Sequence, residues 1–269
     1  MKKILLSLFI STLCFSLLKT YGQTIRVLKK TIELQMPGED GANGGSVAWH
    51  TVQKKYYAAM AGNTSYPLAV FDASGKKLSP DELITFIDVR GLWYNPETKK
   101  ICGNGFNDKG WFSYQLNEKG IPEDITIILE GKNQPGEQSV GTYNTKNKLL
   151  YFISGKSVLA YDMEGKPIED SSIQLSIIKI PDFNGDEEEY IEDNFNTTTV
   201  VYSGILKNEY GLLNYNIPQI ELYNKNTGAI SQILKLPEGT LAYNWFNFSF
   251  ANGIYWLFDK DNRKWIGYK

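Results

Sequence analysis

A short phrase returns along the chain at a fixed interval: Phe71-Asp72-Ala73-Ser74-Gly75, Tyr114-Gln115-Leu116-Asn117-Glu118-Lys119-Gly120, Tyr161-Asp162-Met163-Glu164-Gly165 and Tyr223-Asn224-Lys225-Asn226-Thr227-Gly228. The closing glycines of the first three stand 45 residues apart, and the fourth follows after 63, one period plus 18. Repetition at this length, carried by short aromatic and β-branched runs, requires stacked supersecondary units, each burying a face against its neighbour.

Within a unit the pattern reads as four strands. The third repeat shows it in full: strands over 139–143, 149–154, 157–162 and 173–180, separated by turns at 144–148, 155–156 and 163–166. Runs of this length bounded by Gly, Asn and Asp are strand and hairpin signals. The second repeat follows with 91–94, 100–103, 111–116 and 125–129, and only 80–86 has the pattern of a short helix. The last unit, 247–251, 254–258 and 265–268, is one strand short. Its missing strand is expected at the other end of the chain. Leu34-Gln35-Met36-Pro37 matches Leu234-Lys235-Leu236-Pro237 and Ile178-Lys179-Ile180-Pro181, which puts Thr24 to Met36 in the register of an outermost strand. The expected fold class is all-β: a five-bladed β-propeller of four-stranded antiparallel blades, with the N-terminal strand completing the last blade and closing the ring.

The chain resembles β-propellers of the broad NHL and YVTN type, whose blades carry a phrase of the form V-x-V-F-D-x-x-G-K. It stands here as Leu68-Ala69-Val70-Phe71-Asp72-Ala73-Ser74-Gly75-Lys76 and Val158-Leu159-Ala160-Tyr161-Asp162-Met163-Glu164-Gly165-Lys166. The second and fourth repeats lack the Asp, and there is no WD dipeptide or kelch double glycine. The resemblance implies a fold and no particular activity.

Residues 1–22 read as a secretory signal: Lys2 and Lys3, an apolar run from Ile4 to Leu18, then small residues Thr20 and Gly22 before Gln23. The run is shorter than the ~20 residues that span a bilayer, so no transmembrane anchor is expected after cleavage. Residues 23–269 then form a single exported domain, periplasmic or extracellular, with an insertion at about 182–199. Losing Lys2, Lys3 and Lys19 takes the formal charge from −2 to −5. Such a chain lacks the basic footprint of a nucleic-acid binder. The one remaining cysteine, Cys102, is expected to be a buried, inert thiol.

Chemistry has few places to sit. Loops joining an outer strand to the next inner strand, together with those between second and third strands, ring one mouth of a propeller channel. Glu39, Asp40, Asp88, Arg90, Glu137 and Glu238 fall on such loops and are the binding-mouth candidates; acids after Pro and Gly are also ordinary turn residues. In the insertion, Asp182, Asn184 and Asp186 alternate around a glycine, a donor set suited to calcium, or else simply a solvated acidic loop. His50 is the only histidine, which limits imidazole metal sites and serine-triad chemistry; beside Trp49 it reads as structural. No catalytic residue is assigned. The leading expectation is a secreted, noncatalytic propeller binding a protein, peptide or glycan at the channel mouth, without a cofactor. Alternatives are a carbohydrate hydrolase or lyase with paired carboxylates, and a structural component of an envelope assembly.

Overall fold

The computed structural model describes residues 24–176 and 194–269, so the expected signal and most of the acidic insertion lie outside the described residues. The chain enters through β1 (Thr24–Val27) and β2 (Lys30–Gln35). The first blade is β3 (Asn43–His50), β4 (Lys55–Ala61) and β5 (Leu68–Asp72). The second is β6 (Val89–Asn95), β7 (Lys100–Gly105), β8 (Trp111–Leu116) and β9 (Pro122–Leu129). The third is β10 (Thr142–Asn144), β11 (Leu149–Ser154), β12 (Ser157–Tyr161) and β13 (Ile173–Gln174), and the fourth is β14 (Val201–Tyr202), β15 (Tyr210–Asn214), β16 (Gln219–Tyr223) and β17 (Ile230–Lys235). The fifth is β18 (Phe248–Ala251), β19 (Ile254–Asp259) and β20 (Lys264–Tyr268), with β2 as its outer strand. The result is a five-bladed propeller.

The recurring phrase is a turn device. In the first and third repeats the carboxylate of Asp72 accepts from the backbone N–H groups of Ser74 and Lys76 (2.8 and 3.0 Å), and that of Asp162 from Glu164 and Lys166 (3.0 and 2.8 Å). Asn117 does the same with Lys119 and Ile121, both at 3.0 Å, and Asn224 accepts from Asn226 at 2.8 Å. The turn needs one carbonyl-type oxygen, which Asn supplies as well as Asp, so the second and fourth repeats keep the geometry without the acid. The closing glycines Gly75, Gly120, Gly165 and Gly228 all sit at positive φ, between 66° and 87°, where a Cβ is disfavoured.

Blades pack through five clusters of buried apolar side chains, one at each junction. The junction of the fifth and first blades shows why closure matters, since Leu34 and Met36 from the N-terminal segment are sealed among Tyr56, Phe71, Trp256 and Trp265. Cys102 is buried at the second junction, where burial pushes its thiol up to about 12, consistent with an inert group.

Three expectations are corrected in detail. Thr24 to Met36 is two strands rather than one: β2 pairs antiparallel with β20, Leu34 opposite Trp265, whereas β1 pairs parallel with β17 of the neighbouring blade, Ile25 opposite Ile233. Leu28, only 1% exposed, is the pivot, plugged between the fourth and fifth blades, and the chain straddles both. The first blade has three strands, its outer edge reduced to isolated bridges such as Pro67 with Ile84 and Phe71 with Lys77. Residues 80–86 form no helix, because Leu68 N–H and Thr85 N–H bond to Leu83 and Tyr66 carbonyls and draw the segment along the sheet edge. Among the described residues no helix is long and apolar enough to cross a membrane.

Candidate functional site

The inner strands β3, β6, β10, β14 and β18 surround the axis, each contacting the next around the ring. Between its two ends the channel narrows to a space of about 10 Å3, bordered by Ser46, Leu92, Val140, Thr142 and Phe248. That is room for about a single water.

At the mouth end, Arg90 is buried at the start of β6. Its guanidinium is 3% exposed, donates to Asp88 (2.5 and 3.3 Å), the Val89 carbonyl (2.9 Å) and Gln138 Oε1 (2.8 Å), and stacks over Phe106 and Phe246, 4.8 and 5.2 Å from their ring centroids. Phe246 comes from the entrance to the fifth blade, which does not adjoin the second, so Arg90 links two non-adjacent blade entrances. A buried guanidinium is tolerated here because every nitrogen is bonded and the carboxylate is bidentate. Asp88 additionally accepts from the Gly62 N–H at 2.8 Å.

The other candidates stand apart. The Glu39 and Asp40 side chains are exposed, while the carbonyls of 37 and 39–41 converge on the Arg263 guanidinium at 2.7–3.2 Å, holding that loop to the β19–β20 turn. Glu238 is exposed on a turn closed by the Thr240 hydroxyl. Glu137 borders a cavity of about 450 Å3 between the entrances to the third and fourth blades, with Gln138, Ser154, Asn196, Thr197 and Trp245. The mouth candidates thus divide into one ion pair, one cavity residue and three exposed turn acids. Asp182, Asn184 and Asp186 lie outside the described residues; among the described ones no cluster of three His, Cys, Asp or Glu could hold a metal.

Trp245 carries no sequence signal that separates it from core tryptophans, yet it is 55% exposed over this cavity. The backbone turns it out: Phe246 and Asn247 both have positive φ (47° and 58°), a costly pair for residues with side chains. Polar bonds hold the strain. Asn247 Nδ2 donates to the Trp245 carbonyl at 2.8 Å, and Asn196 Nδ2 donates to the Phe246 carbonyl at 2.8 Å. Asn196 Oδ1 also accepts from the N–H groups of Thr198 and Thr199, so residues 194–199, the end of the expected insertion, are wired into the cavity wall.

His50 is structural, as expected. Nδ1 accepts from the Gln53 N–H (3.2 Å), so Nε2 carries the proton and donates to the Lys99 carbonyl (3.1 Å); both nitrogens of a neutral ring are used. Burial holds its pKa below 6.5, with Lys55 adding to the depression and the Lys99 carbonyl opposing it. The unfolded chain therefore binds this proton first, and stability falls as pH drops below about 6.5 towards the folded value. Asn95 and Asn144 occupy the equivalent position in the next two blades and accept from the corresponding turn N–H groups, those of Thr98 (3.4 Å) and Asn147 (3.3 Å). The His50→Asn variant should therefore fold normally and lose less melting temperature between pH 7 and pH 5 than the parent. Equal losses in a pair of thermal scans would show that His50 does not contribute to acid sensitivity.

No protein-family model and no curated protein matches the chain. Solved structures do. A glutaminyl cyclase from Myxococcus xanthus superposes with a TM-score of 0.55 at 11% identity, over 92% of this chain and 97% of that one. A protein of unknown function from Bacteroides thetaiotaomicron gives a TM-score of 0.47 at 10% identity, over 86% and 58%, and a chain of a nidogen–laminin complex gives 0.42 at 10%, over 73% and 65%. The likeness is one of fold. At 11% identity the superposition on the glutaminyl cyclase carries the β-propeller architecture over 92% of the chain and no site residue.

Proposed function

We propose that this is an exported, noncatalytic binding propeller that takes a peptide or glycan at the mouth, in the cavity beneath Trp245. One observation carries the reading: an indole held outward by two strained, hydrogen-bonded residues over a polar cavity of ligand size. An aromatic face next to Gln138, Asn196 and Thr197 offers stacking together with hydrogen-bond donors and acceptors, the combination both ligand classes need. Among the described residues the cavity presents one carboxylate, Glu137, whereas glycosidic acid–base catalysis needs two facing groups. Binding is therefore preferred to hydrolysis, although the fold likeness to a glutaminyl cyclase shows that such a scaffold can hold an enzyme. Export rests on the signal-like residues 1–22.

The test is an array of glycans and peptides probed with the 23–269 protein and with Trp245→Ala. Loss of a large aromatic side chain buried against a ligand costs about 1.5–3 kcal/mol, so a hit that binds the parent should weaken by roughly tenfold or more. Hits that bind the variant equally well would place recognition elsewhere.

A further inference from the structure

We infer that the opposite end of the channel is a second binding site, for a sugar ring bearing a carboxylate. Each inner strand ends there in an aromatic at one register position, defined by its partner on the second strand: Trp49 opposite Tyr56, Tyr94 opposite Ile101, Tyr143 opposite Leu150, Tyr202 opposite Tyr210 and Phe250 opposite Tyr255. All five rim a single cavity of about 530 Å3. One ring per blade at one position is a rim built by the repeat itself. Core packing alone does not account for it, because Trp49, Tyr202 and Phe250 remain partly exposed.

The rim is preorganised, each ring being held by another ring behind it. Trp49 lies 4.4 Å from Tyr56, Tyr94 4.6 Å from His50, Tyr143 6.3 Å from Trp93, Tyr202 5.3 Å from Tyr151 and Phe250 4.8 Å from Tyr255, all between ring centroids. Little side-chain freedom would be lost when a ligand binds.

The polar groups of the cavity select the ligand. Hydroxyls come from Thr51, Thr145 and Ser203, the last already donating to the Asn208 carbonyl at 2.6 Å and so left only as an acceptor, and a cation from Lys54, which forms no ion pair among the described residues. None of the described residues lining the cavity is a carboxylate. Aromatic rings without an acid and with a lysine disfavour a cationic guest. They suit a ring with C–H faces for stacking, hydroxyls for the Thr and Ser side chains, and a carboxylate for Lys54. This cavity shares no lining residue with the cavity beneath Trp245.

Titration with a trimer of galacturonic acid, glucuronic acid and N-acetylneuraminic acid, each beside its neutral methyl ester, tests the assignment by tryptophan fluorescence and calorimetry. At least one acid should bind saturably and at least fivefold more tightly than its ester. Lys54→Gln, a change on an exposed turn, should remove that preference, Trp49→Ala should weaken binding tenfold or more, and Trp245→Ala should leave it unchanged. Absence of saturable binding to all three acids, equal affinity for acid and ester, or a preference that survives Lys54→Gln would overturn the proposal. Loss with Trp245→Ala alone would also overturn it and move the sugar to the mouth.

Discussion

Removing residues 24–35 from the 23–269 protein should produce a chain that aggregates and melts far below the parent. The deletion strips β2 from β20, whose outer edge then presents unpaired N–H and C=O groups. It also removes Leu28 and Leu34, which are 1% and 0% exposed, from two different blade junctions. Each such leucine contributes about 1.5–3 kcal/mol by burial, and the uncovered Trp265 and Leu234 would meet water as well. A shorter deletion, residues 24–27 only, separates the two roles of the segment. The side chains of β1 are exposed, so this variant should remain monomeric and lose only a few degrees in melting temperature. Gel filtration and thermal scans decide. If the longer truncation stays monomeric with an unchanged melting temperature, closure of the ring by β2 is not what holds the fold together.

The second large effect belongs to Asn104, a fully buried amide on the second strand of the second blade. Its Oδ1 accepts from Gly91 N–H and Gly141 N–H, both at 3.0 Å, and its Nδ2 donates to Gln134 Oε1 (2.5 Å) and the Ser139 carbonyl (2.8 Å). One side chain therefore stitches the second blade to the third across a gap in which no Cβ would fit at Gly91, where the Gly141 carbonyl oxygen would lie 2.5 Å away. Asn104→Leu leaves two buried N–H groups and two buried oxygens without partners. At about 1–3 kcal/mol for each stranded group, partly relieved by relaxation, the loss should be on the order of 4 kcal/mol. Urea unfolding followed by tryptophan fluorescence measures it. A loss below about 1 kcal/mol would mean that the blades are held by apolar packing alone.

Asn247 shows that the stitch is used again. Its Oδ1 accepts from the Gly44 N–H at 2.8 Å, joining the fifth blade to the first, and its Nδ2 holds the Trp245 carbonyl. The residue that seals the ring thus also aims the aromatic over the mouth cavity. Stability and recognition are coupled at this junction, so a substitution at Asn247 should lower both the melting temperature and ligand capture, whereas Trp245→Ala should affect capture alone.

Much of the architecture was legible in the order of residues, because a turn is a local object. An Asp or Asn whose oxygen binds two following N–H groups, closed by a glycine at positive φ, is specified within six residues, and its recurrence every 45 marks the blade. Alternation and hairpin turns placed β7, β8 and β11 to within two residues of where they lie, and the Leu-x-Met-Pro match identified the strand that closes the ring. Tertiary structure alone decided the rest. The pivot at Leu28, which divides the N-terminal segment between two blades, depends on a hole between the fourth and fifth blades that exists only once both have formed. Arg90, a binding-mouth candidate by sequence, is buried in an ion pair with Asp88 and under Phe246, which reaches it from a blade entrance more than 150 residues further along the chain. Trp245, three residues before β18, is exposed, whereas Trp265 within β20 is fully buried. The ring of Trp49, Tyr94, Tyr143, Tyr202 and Phe250 is spread over some 200 residues as unremarkable strand aromatics, and becomes a single rim only when closure sets five inner strands around one axis. Local sequence determines where the chain turns and which face of a strand is apolar; what those faces meet is a property of the closed ring.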